Sequence, residues 1–239
     1  MLVISRTNFL FGLSLFCIPI TVFADGNAID KIYHPYVDAL EKEVEFRSVF
    51  QDKQADKDNP KQLHKLSFGS SLGERWFGEV YLVGAESRAG SFTLEAYEFE
   101  LKWQMTEQGE YSADWGMLFE FENEIGEDVK ELATGIFAEK EIGRWSSTAN
   151  LFLIREWGDD IKDEFETAFS LQTRYRYSRA FEPALEFYAG QDMTGIGPVV
   201  LGGMNVGTRK SMRWEAGVIF GTDNESPDQT FRFLLEYEF

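Results

Sequence analysis

The feature that most constrains this chain is a two-residue alternation of apolar and polar side chains, which runs with interruptions from about residue 43 to the end. It is clearest from Tyr97 to Met105, where aromatic and aliphatic residues alternate with charged and polar ones. Successive side chains on a β-strand point to opposite faces, so this period predicts strands with one apolar and one polar face. Turn-forming residues interrupt the pattern about every ten to fifteen positions and predict the connections.

Twelve segments of this kind can be placed along the chain. They cover roughly residues 43–51, 63–72, 77–86, 91–105, 111–123, 129–139, 145–157, 164–177, 182–191, 198–208, 212–221 and 229–239. An even number of strands is what single-chain bacterial membrane barrels have. The segments 77–86 and 129–139 alternate least regularly, so ten strands is the alternative.

The length and the polarity of the faces separate a membrane barrel from a soluble β-sandwich. The apolar faces run for about nine to eleven residues, which a tilted strand needs to cross a bilayer. The opposite faces mix acids and bases, which suits a polar lumen better than a protein core. We therefore predict an all-β fold: a single closed antiparallel transmembrane β-barrel of about 12 strands over residues 43–239, with a soluble sandwich as the alternative.

The first 24 residues have the composition of a secretory signal peptide. Arg6 precedes an apolar run from Phe9 to Val22, and Ala24 provides a small residue at the expected cleavage site. The only cysteine, Cys17, lies in that run, so the exported chain has no thiol for a disulfide or a metal site. The run is too short for a membrane-spanning helix, and we predict that residues 1–24 are removed on export.

Residues 25–42 differ from the predicted strands because their apolar side chains have helical spacing. The residues that would share one face of a helix are Ile29, Ile32, Tyr33, Tyr36, Val37 and Leu40. We predict a short periplasmic N-terminal arm or helix. The alternative is that this segment folds inward and narrows the barrel.

Charge excludes one broad class of function. Without the signal peptide, the chain has 22 basic and 41 acidic residues, a formal net charge of −19. Nucleic-acid binding requires a basic surface to meet phosphates, so no nucleic-acid partner is expected.

The last nine residues, from Phe231 to Phe239, alternate apolar and charged side chains and finish on phenylalanine. This run resembles the C-terminal assembly signal of Gram-negative outer-membrane β-barrel proteins, which include the porins. The residues that carry the resemblance are Phe231, Phe233, Leu235, Tyr237 and Phe239. It implies a location in the cell outer membrane, periplasmic chaperones and the barrel assembly machinery as partners, and contact with outer-membrane lipids and lipopolysaccharide. It identifies no subfamily.

Catalysis and metal binding have little support in the sequence. His64 and Ser67 are near each other, but their spacing puts them on opposite faces of a strand. His34 is the only other histidine, and no set of residues has metal-ligand spacing. We predict no enzyme activity, no cofactor and no metal, and we keep an outer-membrane lipid hydrolase as a remote alternative.

The polar faces of the strands define a predicted pore lining. Its members are Glu98, Glu100, Lys102, Asp114, Glu120, Glu164, Glu166, Arg174, Arg176, Arg213, Glu215, Arg232, Glu236 and Glu238. Acids outnumber bases in this set, and carboxylates that line a pore attract cations and repel anions. The expected function is a narrow, mildly cation-preferring passive channel for small polar solutes. The alternative is a closed structural or interaction barrel.

Aromatic residues near one end of the strands predict a membrane-interface belt, because Trp and Tyr favour that region. Its members are Trp76, Trp103, Tyr111, Trp145, Tyr175 and Trp214.

The last hairpin provides a test between pore and closed barrel. If Phe220 lies opposite Phe231, then Glu215 faces Glu236, and the two carboxylates need an arginine from a neighbouring strand, a shared proton or bound cations. Similarly, Met105 opposite Tyr111 would set Lys102 against Asp114.

Overall fold

The computed structural model describes residues 29–52, 62–86, 91–191 and 193–239, and in these ranges twelve strands form one closed antiparallel barrel. The strands are β1 (Lys42–Gln51), β2 (Gln62–Ser71), β3 (Trp76–Glu86), β4 (Phe92–Gln104), β5 (Asp114–Glu124), β6 (Val129–Ile142), β7 (Trp145–Gly158), β8 (Glu164–Tyr175), β9 (Glu182–Ala189), β10 (Thr194–Gly207), β11 (Lys210–Gly221) and β12 (Gln229–Glu238). The prediction of twelve strands is confirmed. The predicted signal peptide lies outside the described residues.

Each strand pairs with its neighbours in the chain, and β1 pairs with β12 to close the barrel. Glu43 lies opposite Glu238, and the Phe239 N–H donates to the Lys42 carbonyl at 2.8 Å. We call the end where β1 begins and β12 finishes the terminal end, and the other the loop end. Closure removes the unpaired sheet edges that an open sheet would expose.

Alternation along the strands sorts the side chains as the sequence predicts. Phe68 and Phe231 are about half exposed on the outside, whereas Glu98 and Glu186 on the inside are fully buried. The outer surface is therefore apolar and the inner surface polar, the reverse of a soluble protein. No helix among the described residues has the length and apolarity that crossing a membrane requires.

Two strands begin three or more residues away from their predicted starts. β5 begins at Asp114 rather than at residue 111, which leaves Tyr111 exposed in a turn. β10 begins at Thr194 rather than at residue 198, although its first residues, Thr-Gly-Ile-Gly-Pro, have the composition of a loop. Glycine is required within this strand, because a Cβ on Gly197 would lie 1.8 Å from the Val218 carbonyl oxygen.

Of the two forms predicted for the segment before the barrel, an arm or a helix, the structure shows an extended arm among the described residues. Residues 29–41, which we call the arm, contain no helix; residues 29–37 lie inside the barrel, and residues 38–40 are exposed where the arm leads into β1. The arm stays extended because side chains of the barrel wall accept its backbone N–H groups, which a helix would have used internally. The alternative of an inward-folding segment describes it correctly.

Candidate functional site: the barrel lumen

Apolar residues fix the arm to two sides of the lumen. Ile29 and Ile32 pack in a buried cluster with Tyr188, Met193 and Ile219 on the β9–β11 side. The Tyr33 ring turns to the other side. Its ring centroid is 5.8 Å from that of Phe137 and 5.7 Å from that of Phe152. The arm therefore crosses the lumen instead of lying along one wall.

Amide and hydroxyl side chains of the wall hold the arm by its backbone. Asn150 accepts from the Tyr33 N–H at 2.7 Å and donates to the Tyr33 carbonyl at 2.9 Å. Gln104 accepts from the Val37 N–H at 2.8 Å, and the Tyr188 hydroxyl donates to the Asp30 carbonyl at 3.0 Å. These contacts satisfy backbone groups that an extended segment would otherwise bury unpaired.

Charged residues of the arm pair with the wall formed by β1 to β4. Lys31 lies 3.2 Å from Glu45 and 3.4 Å from Glu79. Asp30 pairs with Arg47 and lies 3.3 Å from Lys65. Buried ions need such partners because their transfer from water is costly.

Three further side chains of the arm bind acids on the wall. The Tyr33 hydroxyl donates to Glu100 at 2.5 Å, and the Tyr36 hydroxyl donates to Asp114 at 2.8 Å. His34 Nδ1 lies 2.6 Å from Glu139 Oε2. The arm thus occupies acids that the sequence predicts as pore lining, and it narrows the lumen.

Two cavities flank the arm. The loop-end cavity has a volume of about 1060 Å³ and the terminal-end cavity about 430 Å³. Ten acidic and four basic residues line the first, and ten acidic and five basic residues line the second. Both cavities therefore have a negative lining, and the arm lies between them.

The fourteen predicted pore-lining residues lie on the inner wall or at its rim. Arg232 shows how closely some are paired: it is 4% exposed, binds Glu186 through two nitrogens and lies 2.7 Å from Glu215. Lys102 and Arg213 line the terminal-end cavity, and Glu120, Glu164 and Glu166 line the loop-end cavity. Arg176, just beyond β8, binds Glu141 at the rim. The sequence predicts which of these residues face the lumen, but it does not predict which acids and bases pair with one another.

Both predicted hairpin registers are wrong. Arg213, not Glu215, lies opposite Glu236, at 3.3 Å between Nη1 and Oε1. Glu215 lies opposite Leu234 and takes Arg232 as its partner. The turn of residues 105–113 is likewise longer than expected, so Lys102 lies opposite Leu118 instead of Asp114. The like-charge pair expected from the sequence is therefore absent.

Several lumen residues escaped the sequence prediction. Glu79, Glu131 and Glu139 face inward on β3 and β6, the two least regular segments. Both segments are predicted strands, but their irregular alternation does not show which face points inward. Asn150 and Gln104 bind the arm and gave no signal, because a polar residue in an alternating strand does not reveal its partner.

Three sets of inward carboxylates have oxygen atoms within 4.8 Å of one another. They are Glu41, Glu236 and Glu238; Glu43, Glu45 and Glu79; and Glu98, Glu100 and Glu120. Oxygen ligands of this kind suit Ca²⁺ or Mg²⁺. In each set, however, a protein cation already binds a member: Arg213, Lys31 and Lys65, respectively. We assign no metal to these sets.

His64 has a serine partner, but not the one nearest in sequence. Ser67 faces the lumen and donates to Glu79 at 2.5 Å, so its separation from His64 is confirmed. On the outer face, the Ser48 hydroxyl lies 2.7 Å from His64 Nδ1. Ser48 is 3% exposed, and the rings of Phe46, Phe50 and Phe92 surround His64. Such a shielded hydroxyl is poorly placed to attack a substrate.

The predicted interface aromatics lie toward the terminal end. Trp76 stacks on Trp103 at 5.4 Å between ring centroids, and Trp145 lies 5.0 Å from Tyr175. Trp214 covers Gly202, where a Cβ would lie 2.5 Å from the indole. The residues of the predicted assembly signal alternate along the outer face of β12, where Phe231, Phe233 and Phe239 are exposed.

Comparison with solved structures supports the fold. The chain is similar to the COG4313 outer membrane channel from Pseudomonas putida F1, with a TM-score of 0.63, 13% identity, and coverage of 88% of this chain and 98% of that one. It is also similar to the KdgM porin, with a TM-score of 0.53, 10% identity, and coverage of 82% and 99%, respectively. No protein-family model and no curated protein matches it. The class that these findings define is a closed β-barrel with the architecture of outer-membrane channels.

Proposed function

We propose that this protein is a narrow, mildly cation-preferring passive channel of the bacterial outer membrane. The observation that carries the proposal is the pair of acid-lined cavities on either side of the arm. Fixed carboxylates in a confined space raise the local concentration of cations and repel anions. The arm limits the solutes to small polar ones.

The outer surface supports the membrane location. Large apolar side chains such as Phe68, Leu82 and Leu153 are about half exposed around the barrel, which water would disfavour and lipid would not. The terminal end, with the Trp76 and Trp103 pair, suits the periplasmic interface, and the loop end would then face the outside. In this orientation both ends of the barrel chain lie on the periplasmic side, as is usual for bacterial outer-membrane barrels.

Export and assembly belong to the same proposal. Removal of residues 1–24 would free the arm to enter the barrel. The C-terminal run ending at Phe239 would be read by the barrel assembly machinery after periplasmic chaperones deliver the chain, and the folded barrel would contact outer-membrane lipids and lipopolysaccharide.

A closed structural barrel is the second candidate, and one observation favours it. Arg232, Glu186 and Glu215 form a buried ionic cluster, and the arm contacts opposite sides of the lumen. If such contacts never relax, the barrel conducts nothing. Catalysis has no comparable support, because the shielded Ser48 is the hydroxyl that contacts His64.

Planar-bilayer recording of the refolded full chain separates these candidates. We expect small discrete channels whose reversal potential in a KCl gradient has the sign of a cation preference. Glu43→Gln with Glu238→Gln removes an opposed pair from the terminal-end cavity and should reduce that preference. The matched control, Glu107→Gln with Glu110→Gln, changes two exposed turn residues and should leave it unchanged. Silent bilayers from correctly folded protein would favour the structural barrel.

A further inference from the structure

A row of five glutamates crosses the inner wall from β4 to β8. Glu98 lies opposite Glu122, Glu122 opposite Glu131, Glu131 opposite Glu156, and Glu156 opposite Glu164. Each step joins directly paired residues on neighbouring strands. We call this set the glutamate row, and all its members but Glu98 line the loop-end cavity.

Such a row is unfavourable while all its carboxylates are ionised, because directly opposed like charges destabilise a sheet. Lys65 binds one end, at 2.7 Å from Glu98 Oε2. Among the described residues, no lysine or arginine forms an ion pair with Glu122, Glu131 or Glu164. These three members of the row therefore have no ion-pair partner in the described part of the protein.

Two oxygen atoms of the row are buried without a hydrogen-bond donor in the described structure. Glu98 is fully buried and its Oε1 has no partner, and Glu164 Oε2 is in the same state at the other end. A buried acceptor without a donor costs about 1–3 kcal/mol, and more when it is charged. Glu164, which lines the loop-end cavity, thus offers an unused acceptor to a cationic donor, whereas Glu98 lies outside that lining and already binds Lys65.

Apolar residues flank the middle of the row. Val129 and Ala133 precede and follow Glu131 on the inner face of β6, and Ile154 precedes Glu156 on β7. All three line the loop-end cavity. A hydrated metal ion gains nothing from these side chains, whereas the methylene groups of an organic cation would pack against them.

The spacing of the row fits a particular organic cation. Neighbouring strands lie about 4.8 Å apart. An extended covalent chain advances about 1.2 Å per bond, so the four bonds of an N–C–C–C–N unit span roughly the same distance. Strands of membrane barrels tilt by about 35–45°, so a row that follows the strand pairing climbs the wall instead of circling it.

We propose that the loop-end cavity binds an extended aliphatic polyamine, whose ammonium groups pair with successive carboxylates of the glutamate row. This inference deepens the proposed function and rests on it, because a polyamine can reach the loop-end cavity only if the barrel is open to the outside. It identifies linear polyamines as a solute class that the channel selects.

Calorimetric titration of the refolded full chain with spermidine tests the proposal without requiring conduction. Glu131→Gln with Glu156→Gln removes the middle of the row and should weaken binding by about tenfold or more. The control, Glu124→Gln with Glu127→Gln, removes the same charge from the same cavity outside the row and should change binding by less than about twofold. Heat-modifiable gel migration would establish that every variant is folded.

Equal weakening by both double variants would overturn the proposal, because the cavity would then act only through its total charge. Mg²⁺ binding as tightly as spermidine to the same carboxylates would also overturn it in favour of an inorganic cation site. If the protein gives no conductance in the bilayer but its spermidine binding depends on the glutamate row, the result would count against the channel and not against the polyamine site. A cation-selective channel whose spermidine binding ignores the row would count against the polyamine site alone.

Discussion

Asn150 on β7 holds the backbone of Tyr33 with both ends of its side-chain amide, at 2.7 and 2.9 Å. The contact spans 117 positions of sequence and joins the arm to the barrel wall. Because it involves the backbone of Tyr33, it fixes where the arm lies whatever side chain occupies that position.

Asn150→Ala should therefore loosen the arm without opening the barrel. It removes two hydrogen bonds worth about 1 kcal/mol each and leaves buried backbone groups unpaired, so docking should weaken by about 2–4 kcal/mol. Limited trypsin digestion followed by mass spectrometry would detect faster cleavage after Lys31. Asn205→Ala, at an exposed site on β10, is the control. Equal protection in both variants would mean that this amide does not hold the arm.

A side chain added at Gly116 would clash with the arm and so tests whether the arm packs against this part of the wall. A Cβ at this position would lie 2.8 Å from the Pro35 Cα and 2.7 Å from the Phe137 ring. Gly116→Ala should displace the arm and expose Lys31 to trypsin, while heat-modifiable migration persists. At Gly203, the nearest atom to an added Cβ is at 3.5 Å, so Gly203→Ala should behave as the wild type. An unchanged digestion rate for Gly116→Ala would show that the arm accommodates the methyl group.

Arg232 should contribute far more to stability than an exposed arginine. Arg232→Leu would leave Glu186 and Glu215 buried without their partner, and we expect a loss of about 3–5 kcal/mol in the free energy of unfolding. Arg155 pairs with Asp163 where both are about half exposed, so Arg155→Leu should cost at most about 1 kcal/mol. Urea unfolding in detergent would compare the two. Similar losses would contradict the assignment of a buried cluster.

Strand number and facing were predictable because both depend on a local, two-residue period. The same period located the inward position of Glu98 and the outward position of Phe231. Register was not predictable, because the length of a turn decides it. In the sequence, residues 105–113 resemble a shorter turn followed by the start of a strand. The predicted partner of Lys102 was therefore Asp114, whereas the structure pairs it with Leu118.

The arm was the larger failure, and its cause is physical. Ile29, Ile32 and Tyr33 have the spacing of a helix face, but the two isoleucines pack on one side of the lumen and the Tyr33 ring packs on the other. Only the tertiary structure supplies the acceptors Asn150 and Gln104 that favour an extended chain. The local spacing of apolar residues cannot predict these long-range hydrogen-bond partners.

The C-terminal phenylalanine should matter more for assembly than for the stability of the finished barrel. Phe239, the residue after β12, is 43% exposed, and Phe231 on β12 is 49% exposed, so their burial energies should be comparable. Deletion of Phe239 should nevertheless reduce the folded yield in cells much more than Phe231→Ala does. Both variants should refold equally in detergent. Equal yields in cells would argue against an assembly signal.

We propose that the acid-lined lumen, narrowed by the arm, conducts cations. The most direct measurement is the single-channel conductance and reversal potential in a KCl gradient, compared between the wild type and Gly116→Ala. We expect a larger conductance in the variant because its arm is displaced, with the reversal potential of both proteins on the cation-preferring side. A reversal potential on the anion-preferring side, or silent bilayers for both folded proteins, would contradict the account.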